Sequence, residues 1–446
     1  MSSDPRQLAF ITLKTVHKGA FADVALDRTL NRHELGDADR RLLTELVYGC
    51  VRRMRSLDAL LDRLGRKPAR SQPPDVRTVL HLGLYQLRYL EQIPPSAAVN
   101  TTVDLLKQNR MGGLSGFANG LLRQYLRLRE VRDPLTLPPE PVERLGILHS
   151  YPDWIVQSWV DSVGVDGAEQ LCLTLNKPPS IDLRINPLKT DRETVLAAFA
   201  AGGAIATPLP PLPQTLRIVG NPGPIHQLPG YSEGWWTVQE ASAQLVGHLV
   251  DPEPGATIID LCAAPGGKTT HLVELMRGQG MVWACDRAAS RLKRLQQNLQ
   301  RLQIDTVHLW EGDGRGLTSE VPLADCILID APCSGLGTLN RHADARWRQT
   351  PESVKELSEL QGQLLDAAAQ HLKPNGTLVY ATCTLHPLEN QGAIAHFLER
   401  HPQWELEVTL SNPIFADFQT EAGWIEIWPH QCPMDGFFMA RLRRKP

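Results

Sequence analysis

The chain has 446 residues, of which 42% are hydrophobic, 21% charged and 6% aromatic. At roughly 150 residues per domain, this length predicts about two to four domains, each with its own core. Residues 1–145 hold 23 Lys+Arg and 16 Asp+Glu, a charge of +7, whereas the rest of the chain holds 23 and 33, a charge of −10. A basic first third favours a polyanionic partner, although the solvated surface of a helical domain produces the same balance.

Several classes of protein are excluded by composition. No stretch approaches the roughly 18–20 apolar residues of a membrane span, and the start, Met-Ser-Ser-Asp-Pro-Arg-Gln, lacks the apolar centre of a signal peptide. The 8 cysteines include no Cys-x-x-Cys pair, which argues against a zinc site or a disulfide framework. We therefore expect a cytoplasmic protein with no metal and no membrane partner.

Residues 1–140 have the pattern of an all-α domain. Leucines recur at helical spacing, for example at Leu57, Leu60, Leu61 and Leu64, and proline-containing breaks such as Ile93-Pro94-Pro95 separate the segments. The last part of this region is rich in arginine and predicts a basic face. Its members are Arg110, Arg123, Arg127, Arg129 and Arg132.

A proline-rich linker, 134–141, precedes a region with shorter elements. Residues 180–186 alternate like a strand, 192–201 have helical periodicity, and 208–213 form a proline-rich loop. Residues 145–240 are therefore predicted to form a small α+β module.

Residues 241–446 alternate between strands and helices, which predicts a doubly wound, Rossmann-like α/β domain with ligands at the carboxyl ends of the strands. The tail adds two strand-like runs, 404–410 and 435–442, which are expected to pair as an antiparallel edge. The predicted buried strands are Ala256–Asp260, Met281–Asp286, Thr306–Trp310, Asp325–Asp330 and Gly376–Thr382.

The segment Asp260-Leu-Cys-Ala-Ala-Pro-Gly-Gly-Lys268-Thr-Thr joins the first of these strands to a helix. Glycines allow the backbone to approach a ligand closely, and the first turn of the helix offers free N–H groups to an anion such as a carboxylate. A phosphate-binding P-loop would need glycine where Cys262 stands, and the Gly-x-Gly-x-x-Gly pattern of dinucleotide-binding proteins is absent. Both nucleotide-binding interpretations are therefore disfavoured.

Three more carboxylates follow strands in this region: Asp286, Asp313 and Asp330. An acidic residue at the end of the second strand accepts hydrogen bonds from ribose hydroxyls in many such folds, and Asp313 could accept one from the exocyclic amine of an adenine. A single aspartate in such a place is more often a turn or cap residue. Four, counting Asp260, on successive strands of one sheet favour a ligand site.

Two cysteines lie just past strands on the same side: Cys333 in Asp-Ala-Pro-Cys-Ser-Gly and Cys383 in Ala-Thr-Cys-Thr. A thiolate that adds to carbon 6 of a cytosine makes carbon 5 nucleophilic enough to attack an electrophilic methyl group. The positions of Cys333 and Cys383 favour a reactive role for both. Spacing alone does not indicate which of the two is the nucleophile. The remaining thiols are expected to be buried and inert. Apart from Cys262 in the loop, these are Cys50, Cys172, Cys285, Cys326 and Cys432.

Over residues of about 145–446, the sequence resembles the RNA (cytosine-5)-methyltransferases of the Nol1/Nop2/Sun group. The most specific motifs are Cys-Ala-Ala-Pro-Gly-Gly-Lys, Asp-Ala-Pro-Cys-Ser-Gly and Ala-Thr-Cys-Thr-Leu-His-Pro-Leu-Glu-Asn. Residues 1–140 resemble the RNA-binding domain of the antitermination factor NusB. The fold implied is a NusB-like all-α domain over 1–140, a small α+β RNA-binding module over 145–240, and a class I methyltransferase domain over 241–446.

The resemblance also implies the donor and the roles of the residues. S-adenosylmethionine would be the methyl donor, Asp286 would hold its ribose, Asp313 its adenine, and Asp330 would lie between donor and target base. Within this family the nucleophile corresponds to Cys383, and Cys333 assists release of the methylated product. The methionine end of the donor would be wrapped by Cys262, Ala263, Ala264, Pro265, Gly266, Gly267 and Lys268.

The implied substrate is 16S rRNA, free or in an assembling small subunit, with no obligate protein partner. We expect Arg184 and Asn186, together with the Arg110–Arg132 stretch, to hold the RNA backbone. Another RNA such as tRNA is the alternative acceptor, although tRNA-directed relatives commonly lack the NusB-like domain. A non-catalytic assembly or antitermination factor is less favoured, because both cysteines and all the acidic positions are present. The chain departs from the family at Ala343, where proline is usual, and at Glu240, where aspartate is commoner.

Overall fold

The computed structural model describes residues 4–408 and 412–445. These residues divide into two compact units. The first comprises the chain up to Lys177 together with Leu339–Arg348, and the second comprises Pro178–Thr338 and the chain from Gln349 onward. None of the described helices is both long and apolar enough to span a bilayer.

The first unit is all-α, as predicted. Its core consists of the leucine stripes of the helices, including Leu57, Leu60 and Leu61, which are almost completely withdrawn from solvent. The helices are α1 (Pro5–His17), α2 (Ala22–Arg32), α3 (Asp37–Arg52), α4 (Met54–Leu64), α5 (Pro74–Tyr89), α6 (Pro95–Gln108), α7 (Ser115–Arg129), α8 (Pro141–His149) and α9 (Asp153–Thr174).

A segment from late in the sequence, Leu339–Arg348, belongs to this helical unit and ends in the short helix that we label α14 (Ala345–Arg348). The Arg346 guanidinium is fully buried, lies 4.0 Å from the ring centre of Tyr151, and donates to the Ser150 carbonyl at 3.2 Å and the Asn176 side chain at 2.9 Å. The sequence did not predict this insertion. Helices α8 and α9 also lie in this unit, and the domain boundaries near 140 and 240 stay a prediction.

The second unit begins with an antiparallel sheet of four strands in the order β2-β3-β1-β4, accompanied by one helix. The strand predicted over 180–186 and the helix predicted over 192–201 are confirmed. The elements are β1 (Asp182–Ile185), α10 (Arg192–Ala201), β2 (Ile205–Pro208), β3 (Thr215–Val219) and β4 (Trp236–Val238).

The rest of this unit is built on an eight-stranded mixed sheet with the order β10-β12-β9-β8-β5-β6-β7, in which β11 also pairs with β12. Its helices are α11 (Ala241–Val250), α12 (Gly267–Leu275), α13 (Ala289–Leu302), α15 (Pro351–Gln370) and α16 (Gln391–Arg400). Its strands are β5 (Thr257–Asp260), β6 (Met281–Asp286), β7 (Val307–Glu311), β8 (Ala324–Asp330), β9 (Leu372–Thr382), β10 (Trp404–Leu406), β11 (Ile425–Ile427) and β12 (Phe437–Arg444).

The predicted doubly wound sheet and its antiparallel edge are both confirmed. Strands β5 to β9 pair in parallel, whereas β12 runs antiparallel to both β9 and β10. Residues 409 and 410 of the strand predicted over 404–410 lie outside the described residues. Because parallel strands share one carboxyl edge, the residues that follow β5, β6, β8 and β9 meet there, at the point where the strand order reverses between β5 and β8.

Candidate active site

The loop between β5 and α12 begins at Asp260, whose side chain is fully buried. Thr269 donates its hydroxyl to Oδ2 of Asp260 at 2.7 Å, while Oδ1 has no hydrogen-bond partner among the described residues. Burial raises the pKa of Asp260 to about 7. Gly266 has φ 101°, and a Cβ at this position would lie 2.7 Å from Cγ of Leu295, so both the backbone angle and the packing require glycine.

The two predicted nucleoside-binding carboxylates occupy different surroundings. Asp286 is buried at the end of β6 and accepts the backbone N–H groups of Ala264 at 3.3 Å and Ala288 at 3.0 Å, so it ties its strand to the Gly-rich loop. Asp313 is exposed and pairs with Arg315 at 2.6 Å. The hydrogen bonds from Arg315 lower the pKa of Asp313 to about 2. An adenine amine would have to share this carboxylate with the arginine.

Lys268, in the first turn of α12, reaches across to the end of β8. Its Nζ lies 2.8 Å from Oδ2 of Asp330 and 5.2 Å from the ring centre of Phe437. Burial alone would lower the pKa of Lys268, but the Asp330 carboxylate outweighs it and holds this pKa above its ordinary value. The pair therefore presents a cation and an anion side by side next to the Gly-rich loop.

Cys333 and Cys383 meet at the same edge of the sheet, with their sulfur atoms 3.4 Å apart. Both are free thiols, and each follows one of the neighbouring parallel strands β8 and β9, in which Asp330 lies opposite Ala381. The hydrogen bond with Cys383, burial and the nearby Glu389 raise the pKa of Cys333 well above its ordinary value. These surroundings favour the protonated form of Cys333.

Glu389 holds the two cysteine loops together, a role that its position in the sequence did not predict. The buried carboxylate accepts the backbone N–H of Ser334 at 2.8 Å and the side-chain amide of Gln361 at 3.1 Å. It also accepts the hydroxyl of Ser334, and that of Thr384 at 3.3 Å. The available signal was its place in the motif Ala-Thr-Cys-Thr-Leu-His-Pro-Leu-Glu-Asn, which also contains Cys383.

The prediction that Arg184 and Asn186 contact the RNA backbone is wrong. Arg184 is fully buried and pairs with Glu274 at 2.7 Å, and Asn186 is buried with its amide directed to the carbonyl of Gly234 at 3.3 Å. Strand β1 is covered on both faces, so its alternating pattern does not mark a solvent side. By contrast, the arginines at 110, 123, 127, 129 and 132 are exposed, and their contact with RNA stays a prediction.

A metal site is not evident: no group of three or more His, Cys, Asp or Glu side chains within 4–408 and 412–445 is arranged to hold an ion. The carboxyl edge instead brings together the Gly-rich loop, Asp286, Lys268, Asp330 and the thiol pair, whereas Asp313 lies at its exposed margin. This arrangement suits an organic ligand beside a reactive sulfur.

Comparisons with known proteins match three successive parts of the chain. Residues 3–127 match the NusB family, 151–226 the ferredoxin-like domain of RsmF/B-like methyltransferases, and 247–443 the 16S rRNA methyltransferase RsmB/F family. The probable ribosomal RNA small subunit methyltransferase B of Synechocystis sp. is 48% identical, covering 98% of this chain and 99% of its own length. That of Bacillus subtilis is 34% identical, with 97% of each covered. The crystal structure of PH0851 matches 100% of both chains at 28% identity, with a TM-score of 0.80.

Proposed function

The chain belongs to the ribosomal RNA small subunit methyltransferase B family, and from this premise we propose that it methylates carbon 5 of a cytosine in 16S rRNA with S-adenosylmethionine as donor. The observation that carries the proposal is the pair of free thiols, 3.4 Å apart, beside the Lys268–Asp330 ion pair. Neither thiol is needed for methylation of an already nucleophilic atom. Activation of a pyrimidine carbon, however, requires a nucleophile that can add and leave again.

The residues present fit S-adenosylmethionine. The first turn of α12 offers free N–H groups to the carboxylate of the donor, and the buried Oδ1 of Asp260, unpartnered among the described residues, can accept a hydrogen bond from a cationic amine. In our proposal residues 262–268 hold the methionine end, Asp286 the ribose and Asp313 the adenine, while Asp330 lies between donor and base. When bound, the donor supplies an electrophilic methyl group.

The mechanism assigns one step to each thiol. The Cys383 thiolate adds to carbon 6 of the cytosine, and the electron pair displaced from the 5,6 double bond makes carbon 5 the nucleophile that takes the methyl group. Transfer of the methyl group leaves the donor as a neutral thioether. A general base then takes the carbon 5 proton, the electron pair of that C–H bond restores the 5,6 double bond, and the bond to sulfur breaks so that Cys383 leaves as a thiolate. Cys333, whose raised pKa keeps it protonated, donates a hydrogen bond to the Cys383 sulfur and thereby assists its departure.

The test is transfer of labelled methyl from S-adenosylmethionine to unmodified 16S rRNA by the wild type and by Cys383→Ala. Cys432→Ala is the matched control, because Cys432 is also a free, half-buried thiol but donates its hydrogen bond to the Trp428 carbonyl. We expect label on carbon 5 of cytosine with the wild type and the control, and none with Cys383→Ala. Full turnover by Cys383→Ala would refute the adduct.

The same assay separates the competing acceptors. Transfer to tRNA but not to 16S rRNA would show that tRNA is the substrate of the same reaction. No transfer to 16S rRNA, 23S rRNA or tRNA, together with tight RNA binding, would favour the non-catalytic assembly factor. The exposed arginines between 110 and 132 support RNA binding in either case.

A further inference from the structure

Arg184, on strand β1 of the small antiparallel sheet, sends its side chain into the first two turns of α12. Its Nε and Nη2 donate to the two carboxylate oxygens of Glu274 at 2.8 and 2.7 Å. Nη2 also donates to the Thr270 hydroxyl at 2.9 Å, and Nη1 to the Gly267 carbonyl at 2.7 Å and to the side chain of Gln239. All five N–H groups of the guanidinium are therefore satisfied inside the protein.

Three of these acceptors belong to the helix that begins in the Gly-rich loop. Gly267 is its first residue, Thr270 lies in its first turn, and Glu274 is near its end. Arg184 and Glu274 are both completely withdrawn from solvent, so the favourable contacts of the pair are offset by the cost of removing both charges from water. Replacing such a pair with well-packed apolar side chains is often neutral or stabilising, so stability alone does not account for an arginine here.

We propose that Arg184 is a positioning residue for the methyl donor: it fixes the loop–helix junction at Gly267 and so aligns the donor-binding loop without touching the donor. This inference rests on the proposed use of S-adenosylmethionine by residues 262–268. The junction is sensitive because Gly266, Gly267 and Lys268 are consecutive. A shift at the Gly267 carbonyl would move the N–H groups that face the donor carboxylate and the ammonium that pairs with Asp330.

The small antiparallel sheet thereby supports the donor site in addition to packing its own hydrophobic core. A positioning role predicts that a variant of Arg184 affects binding of the methyl donor but not of the RNA, whereas a merely structural role predicts that both are affected. Loss of the Gly267 contact should weaken binding of S-adenosylmethionine by about 10-fold, the worth of a hydrogen bond from a charged group. The KM for RNA and the kcat at saturating donor should change little.

The test uses Arg184→Lys in the full chain, because lysine keeps the charge beside Glu274 but cannot also reach Gly267, Thr270 and Gln239. Arg217→Lys is the matched control, since Arg217 forms an ion pair with Asp182 at 2.6 Å in the same sheet and contacts no residue of the donor loop. Donor affinity is measured by titration calorimetry, and both KM values by methyl transfer. Should Arg184→Lys fold poorly, the double variant Arg184→Met/Glu274→Leu removes both buried charges together and serves in its place.

We expect the donor Kd and donor KM of Arg184→Lys to rise about 10-fold, with kcat restored at high donor concentration and Arg217→Lys unchanged. An unchanged donor Kd, or equal rises of the donor and RNA KM values, would overturn the positioning role. A wild type that binds no S-adenosylmethionine would instead overturn the proposed function, so the two failures are distinguishable.

Discussion

The sulfur atoms of Cys333 and Cys383 lie 3.4 Å apart although 50 positions of sequence separate the two residues. They meet because β8 and β9 are neighbouring parallel strands, so the loops that leave their carboxyl ends run side by side. Their environments differ, since Cys333 is close to the buried carboxylate of Glu389 and has a raised pKa. Our proposal assigns different roles to these two chemically identical side chains.

Cys333→Ala is expected to accumulate a covalent protein–RNA adduct. Without the neighbouring thiol, Cys383 can still add to carbon 6, but its departure loses the hydrogen bond that stabilises the leaving sulfur. The adduct should appear as a slower band on a denaturing gel and disappear in Cys333→Ala/Cys383→Ala. Absence of that band in the single variant would show that Cys333 does not assist release of the methylated product.

Glu389→Gln should lower kcat/KM for methyl transfer by about 10-fold, because the amide replaces a carboxylate oxygen that accepts two hydroxyl groups from the cysteine loops. Glu399→Gln, at a solvent-exposed side chain of α16, is the matched control. Steady-state rates are compared with the rate at which Cys383 reacts with iodoacetamide. If Glu389→Gln leaves both rates at wild-type values, the carboxylate does not align the thiols.

Asp260 makes stability depend on pH. Its pKa is about 7 in the folded protein against an ordinary value of 3.8, so between these values the folded chain retains a proton that the unfolded chain has lost. The free energy of unfolding should therefore fall as pH rises through this window, by at most about 1.4 kcal/mol per pH unit. Urea titrations of the wild type and Asp260→Asn from pH 5 to 8 check this. The difference in unfolding free energy between the wild type and Asp260→Asn should change up to about pH 7 and then level off. A difference that is constant over the whole pH range would contradict this prediction.

Arg346→Met should destabilise the helical unit by about 3 kcal/mol. The substitution leaves the Ser150 carbonyl and the Asn176 side chain without their buried donor and removes the contact over Tyr151. Arg40→Met, at an exposed position of α3, is the control and should lie within about 0.5 kcal/mol of the wild type. Urea unfolding followed by circular dichroism measures both, and equal midpoints would show that Arg346 contributes nothing.

The local elements and the chemistry available to them follow from the sequence alone. Helical periodicity predicted the all-α first region, alternation predicted the strand over 180–186, and short apolar runs predicted the buried parallel strands. The order of strands also predicted a common carboxyl edge. Short motifs singled out the Gly-rich loop and the two cysteines, and the ranking of Cys383 over Cys333 came from family resemblance.

The contacts of each polar side chain, in contrast, depend on how distant parts of the chain pack together. Arg184 lies on a strand that looks half-exposed in sequence, yet it is buried against Glu274 because a second layer covers β1. Glu389 gains its acceptor role only when two loops meet, and Arg346 is enclosed by helices about 200–300 positions earlier in the chain. Sequence periodicity does not predict such partners, because hydrogen bonds and burial depend on distances between residues that are far apart in the chain.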